Sequence, residues 1–187
     1  MTEKFKNKYR IPPARLQTWD YGNNGAYFIT ICTKNRLHYF GEIITELQES
    51  EMQLSDIGRL AERFWTEIPI HFPFVKLGKF IVMPNHIHGI LIISKKAQEI
   101  AIQQEPKINK NKTIGQNRFQ NQGKNTISSI VGSFKSVVTK NAHLINPDFE
   151  WQSRFHDHII SDSITFNKIQ NYIAHNIKNW KLDKFYP

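Results

Sequence analysis

Cysteine is nearly absent from this chain: Cys32 is the one thiol among 187 residues. No disulfide can close within it. That excludes the disulfide-stapled scaffolds of small secreted domains and leads us to expect a reducing, cytoplasmic setting. Cys32 sits in an apolar run and reads as a small buried hydrophobe. Long apolar runs are missing as well. No stretch approaches the roughly 20 consecutive residues of a membrane helix, and the polar, basic N-terminus lacks the apolar core of a secretory signal. No membrane role is expected. Negative charge is the third scarcity: Asp and Glu total 16 against 25 Lys and Arg, leaving +9 and an isoelectric point near 9.6.

The excess of positive charge is uneven. Residues 1–20 carry five basic and two acidic groups, and residues 94–143 carry nine and two, whereas residues 41–67 carry seven acidic and two basic. Concentrated positive charge suggests a polyanionic partner, nucleic acid first, with a solubilising basic surface as the plain alternative. The length suits one domain able to bury a core without staples. We read residues 1–20 as a basic arm, marked by Pro12-Pro13, and 21–187 as the domain. A polar insertion at about 95–125, where seventeen of 31 positions are Lys, Asn or Gln, interrupts that domain.

Periodicity orders the rest. Ala26 to Thr33 is aromatic and β-branched and reads as a strand after the turn residues Tyr21-Gly22-Asn23-Asn24-Gly25. Ile57, Leu60, Ala61, Phe64, Trp65 and Ile68 form a helical stripe, with Ser55 as N-cap and Pro69 as stop. Val75–Val82 and His86–Ile93 read as a hairpin around Met83-Pro84-Asn85. A second helix buries Ile127, Ile130, Val131, Phe134 and Val138. A fourth strand covers Phe155 to Ile160. A third helix lines up Phe166, Ile169, Ile173, Ile177 and Trp180. The order β-α-β-β-α-β-α implies an α+β fold. It is a ferredoxin-like or RRM-like antiparallel sheet with helices on one face, followed by a C-terminal helix that carries Tyr172. The other sheet face is left for a ligand.

The chemistry centres on Met83-Pro84-Asn85-His86-Ile87-His88-Gly89. Alternation in a strand puts His86 and His88 on one face, where two neutral imidazoles can grip a divalent metal. A His-x-His pair is more often structural, and His156/His158 repeat the spacing. The apolar run Ile90-Leu91-Ile92-Ile93 favours the first pair, because it anchors it on a buried strand. A site needs a third ligand. Tyr172 and Asn176 stand four residues apart on the third helix, beside its apolar stripe, and His175 is a weaker candidate. From spacing alone Tyr172 reads as a boundary residue with a wetted hydroxyl.

These blocks resemble single-tyrosine HUH transposases, and within them the REP-associated tyrosine transposases. The resemblance rests on Met83-Pro84-Asn85-His86-Ile87-His88, on Trp151 to Ile160, and on Asn171-Tyr172-Ile173-Ala174-His175-Asn176. Phe28 to Arg36 and Gly132 to Ser136 add to it, so it spans about residues 20–180 with the polar insertion as its departure. It implies an RRM-like core, His86 and His88 as metal ligands with Asn176 completing the site, and Tyr172 as nucleophile. It further implies a divalent cation, Mg²⁺ or Mn²⁺, and single-stranded or hairpin DNA as partner, cut and rejoined through a 5′-phosphotyrosine. Lys135, Lys140 and Arg154 are the expected phosphate contacts near the core, with the basic arm as a further one. Related transposases often pair their subunits, so a homodimer and a site shared between two chains stay open. The competing readings are a non-catalytic RRM-like nucleic-acid binder and a metal hydrolase in which Tyr172 merely packs.

Overall fold

The computed structural model describes residues 19–46, 49–95, 123 and 125–187. The basic arm and nearly all of the polar insertion fall outside the described residues. Four strands make the main sheet: β1 (Gly25–Cys32), β4 (Val75–Met83), β5 (His86–Ile93) and β6 (His156–Ile160). Their order is β4-β5-β1-β6, with antiparallel pairing at every junction. This is the expected ferredoxin-like arrangement, and it puts the His-x-His strand β5 in the interior of the sheet.

The helices α1 (Asp56–Thr66) and α3 (Ile127–Ala142) cover one face. Tyr27, Ile29 and Ile31 of β1 and Ile87, Leu91 and Ile93 of β5 point into it, against Ala61, Trp65, Ile130, Phe134 and Val138. Ser55 caps α1 as expected, its hydroxyl accepting from the Gly58 amide. Pro69 does not stop the helical path outright. It opens the short helix α2 (Ile68–His71), where a missing N–H costs nothing because the first-turn amides lack partners anyway.

Three features depart from the sequence reading. A separate antiparallel ribbon, β2 (Gly41–Glu46) with β3 (Glu49–Leu54), occupies the acidic stretch before α1. Its outward residues are charged and its apolar pattern short, so no strand periodicity stood out. Secondly, the third helix, α4 (Ser163–Ala174), ends before Asn176. Beyond it the chain tightens into turns and a 3₁₀ segment, Trp180–Leu182. The turning buries Trp180 and Phe185 against Cys32 and Met83, which a straight continuation would not do. Thirdly, the second sheet face is not left open: Ile173, Phe166 and Ile169 of α4 pack on Ile90 and Ile160.

Candidate functional site

Register decides what shares that second face. His88 pairs with Thr30, and Cys32 pairs with His86. His86 is fully buried and His88 is 1% exposed. Asn85, in the β4–β5 turn and also buried, sets the state of His86. Its amide nitrogen donates to the Phe185 carbonyl (2.9 Å), so its oxygen faces His86 Nδ1 at 2.8 Å and must accept. The Nδ1 of His86 therefore carries the proton, and Nε2 presents a lone pair. That Nε2 is buried without a hydrogen-bond partner. His88 contacts the Thr30 hydroxyl through Nδ1 at 2.9 Å and the Tyr172 hydroxyl through Nε2 at 3.1 Å. Burial pushes the His86 imidazole well below its usual range, with His88 adding to the effect, and lowers His88 to about 4. Both rings are neutral at physiological pH, the state a metal ligand needs.

Tyr172 reaches this face from α4. Asp162 caps the helix, accepting from the Thr165 amide at 2.8 Å. Tyr172 is 43% exposed, as a residue at the rim of the core should be. Its hydroxyl lies 3.2 Å from Asp183 Oδ2, and Asn176 Nδ2 donates to the same oxygen at 3.2 Å. Phe28 stacks on His88 and meets Tyr172 edge-on. Burial, followed by the charge of Asp183, pushes the phenol up to about 12. As it stands the hydroxyl is protonated and a weak nucleophile.

Asp183 is the residue that sequence reasoning missed. With His86 and His88 it forms a group whose ligand atoms lie within 4.8 Å of one another, and which could hold a metal ion. A signal was there: Asp183 is the sole acidic residue between 163 and 187, amid Lys168, Lys178, Lys181 and Lys184. Asn176 is brought to the site as expected, though from beyond the helix end. Its Oδ1 is buried and unpartnered, a second acceptor aimed at no donor. The donor set fits a divalent cation: one orphaned imidazole nitrogen, a second imidazole, a carboxylate and an amide oxygen.

The expected phosphate contacts are dispersed. The Nζ of Lys135 donates to the Gln152 carbonyl at 2.6 Å and sits over the Trp151 ring, and burial lowers its pKa. Lys140 and Arg154 are exposed, and Lys140 projects from the helix that packs on the opposite sheet face. The cations that act on the His pair are Lys184 and Arg36, which the sequence did not single out: both depress His86. Arg36 Nη1 donates to the Lys184 carbonyl, and both side chains lie over Phe185. His156 and His158 are exposed on β6. Opposite Thr30 and Phe28, they share the His88 face. Trp19 and Tyr21 pack against the core.

The chain superposes on a solved REP-associated tyrosine transposase, described as bound to a REP hairpin, with a TM-score of 0.55 at 17% identity. The match covers 90% of this chain and 74% of that one. The fold is thus that of the tyrosine transposases, an α+β sheet with helices packed against it. No protein-family model matches. An uncharacterized protein of Haemophilus influenzae is 37% identical over 174 residues, 92% of this chain and 91% of that protein, and the chain belongs to the same family. No helix among the described residues is long and apolar enough to cross a membrane.

Proposed function

We propose that the chain is a metal-dependent, single-tyrosine DNA strand transferase that cuts and rejoins hairpin-bearing single-stranded DNA. The observation that carries this reading is the meeting of Tyr172 with the His pair. A helix-borne phenol lies 3.1 Å from His88 Nε2, beside a buried His86 Nε2 with nothing to bind. A tyrosine that merely packs has no need of two neutral, lone-pair-bearing imidazoles and a carboxylate around its oxygen.

His86, His88 and Asp183, with Asn176 Oδ1 beside them, would hold the cation. Mg²⁺ or Mn²⁺ bound there supplies positive charge against the scissile phosphate and the developing phenolate. Tyr172 Oη attacks phosphorus and the P–O3′ bond breaks. The leaving oxygen takes a proton to become a 3′-hydroxyl, and the 5′-phosphate stays on the tyrosine. Tyr172 already donates toward Asp183 Oδ2 at 3.2 Å, so that oxygen would take the phenol proton and the carboxylate's other oxygen would serve the cation. Attack by a second 3′-hydroxyl reverses the step and rejoins DNA without an external energy source. Tyr172 and the His pair meet within one chain. Arg36 and Lys184 at the rim would contact phosphates, and the excess of basic charge makes affinity fall with salt.

The test is incubation of purified protein with hairpin-flanked single-stranded DNA and Mn²⁺, followed by denaturing electrophoresis. A covalent adduct is expected from the wild type and none from Tyr172→Phe. An adduct that survives Tyr172→Phe would remove the nucleophile assignment. Cut ends without an adduct would make the protein a hydrolase, and salt-sensitive binding without cutting would make it a binding module.

A further inference from the structure

On the outer side of Trp180 lies a cleft of about 480 Å³ that the chemistry above leaves unused. One wall is the β2–β3 ribbon, with Glu42, Thr45 and Ser50. The other is the segment after α4, with Lys178 and Lys181. Trp180 is nearly buried between two more accessible rings. His38, exposed, lies 6.0 Å from it, and Tyr186, 45% exposed, meets it edge-on at 5.4 Å. Trp180 also stands 6.0 Å from the His86 ring. The cleft and the candidate metal site therefore share a wall one aromatic ring thick.

We propose that this cleft receives an unpaired base of the DNA strand that runs off the Tyr172 site, with Tyr186 as its stacking surface. The proposal rests on the strand-transferase reading for the identity of the strand. The volume is that of a small-ligand pocket. Aromatic faces flanked by cations are what single-stranded nucleic acid needs, since every base offers a π-face and every linkage a negative charge. The polarity of the walls sets the orientation. Lys178 and Lys181 attract the sugar-phosphate chain, whereas Glu42 on the ribbon repels phosphate and can accept hydrogen bonds only from a base. A strand held at His86 and turning past Trp180 thus presents its backbone to the lysine wall and its base to the ribbon.

The test uses the full chain in EDTA and a fluorescein-labelled (dT)₁₂ probe, read by anisotropy. Tyr186→Ala should weaken binding on the order of ten-fold, while Tyr186→Phe, which keeps the ring, should bind as the wild type does. The double variant Lys178→Ala/Lys181→Ala should flatten the dependence of log affinity on log salt by about 1.4, the value for two phosphate contacts on a single strand. Unchanged affinity in Tyr186→Ala, with an unchanged salt slope in the lysine variant, would overturn the cleft as a base site. The two readings fail separately. A Tyr172 adduct with no Tyr186 effect leaves the transferase and removes the cleft. A Tyr186 effect with no adduct leaves the cleft as a single-strand site and removes the transferase.

Discussion

Two His-x-His pairs with identical spacing lie on the same face of one sheet, and they could hardly be more different. His86 and His88 sit on the interior strand β5, stripped of water and held by Asn85 and Thr30. His156 and His158 sit on the edge strand β6, open to solvent. Strand position, not spacing, decides which pair can be a metal centre. An interior strand lends burial, which keeps imidazole neutral, and neighbours on both sides, which fix its ring and tautomer. The edge pair has neither.

The sharpest way to break this comparison is to delete each pair in turn. His86→Ala or His88→Ala should reduce Mn²⁺-dependent cleavage by more than the roughly 10–100-fold typical of losing an outer-shell partner. Mn²⁺ affinity measured by calorimetry should fall with it. His156→Ala and His158→Ala should change metal affinity little. Equal losses from both pairs would show that strand position is not the deciding factor.

Next in size is the support beneath the buried pair. A Cβ at Gly89 would overlap the indole of Trp65, the largest side chain buried under the sheet. Gly89→Ala should destabilise the fold by about 1–3 kcal/mol, the usual range for forcing atoms into a packed core, as read by urea unfolding at neutral pH. A neutral substitution would mean that β5 is less tightly seated than its burial implies.

The third prediction uses pH. Burial lowers His88 to about 4 in the folded chain, below the usual 6.5 of imidazole, and His86 is shifted in the same direction. As pH falls from about 6.5 the unfolded chain takes up these protons first, so stability should drop, with His88's share of the loss levelling off near about 4 and His86's continuing at lower pH. The slope approaches about 1.4 kcal/mol per pH unit for each histidine. His88→Gln should flatten it. The smallest expected effect is at the N-terminus of α4, just past the exposed pair's strand. There Asp162→Ala removes the cap's hydrogen bonds and should lower the thermal midpoint slightly.

Much of this was legible without coordinates. The stripe from Ile57 to Ile68, the Ser55 cap and the hairpin around Pro84 obey local rules, and local rules are written in adjacent residues. The ribbon β2–β3 was not legible, because four glutamates on two short strands mask its alternation. The end of α4 was misread for a different cause. Ile177 and Trp180 continue a helical stripe, yet a second cluster built from Cys32, Met83 and Phe185 draws them out of it. Residues far apart in the chain compete there, and no window of sequence contains the competition.

The sequence by itself determined the order of the four main-sheet strands and their covering helices, the faces that alternation assigns, and the candidacy of His86, His88, Tyr172 and Asn176. The faces and the His pair follow from spacing along the backbone, whereas the roles of Tyr172 and Asn176 follow from the resemblance. Only the tertiary structure decided that Tyr172 meets His88, that Asn85 sets the His86 tautomer, and that Asp183 rather than a helical residue supplies the carboxylate. It also decided that Arg36 and Lys184, rather than Lys140 or Arg154, are the cations acting on the His pair. Hydrogen bonds and electrostatic fields act over a few ångströms of space, and the residues they join here lie as many as 148 positions apart, as Arg36 and Lys184 do.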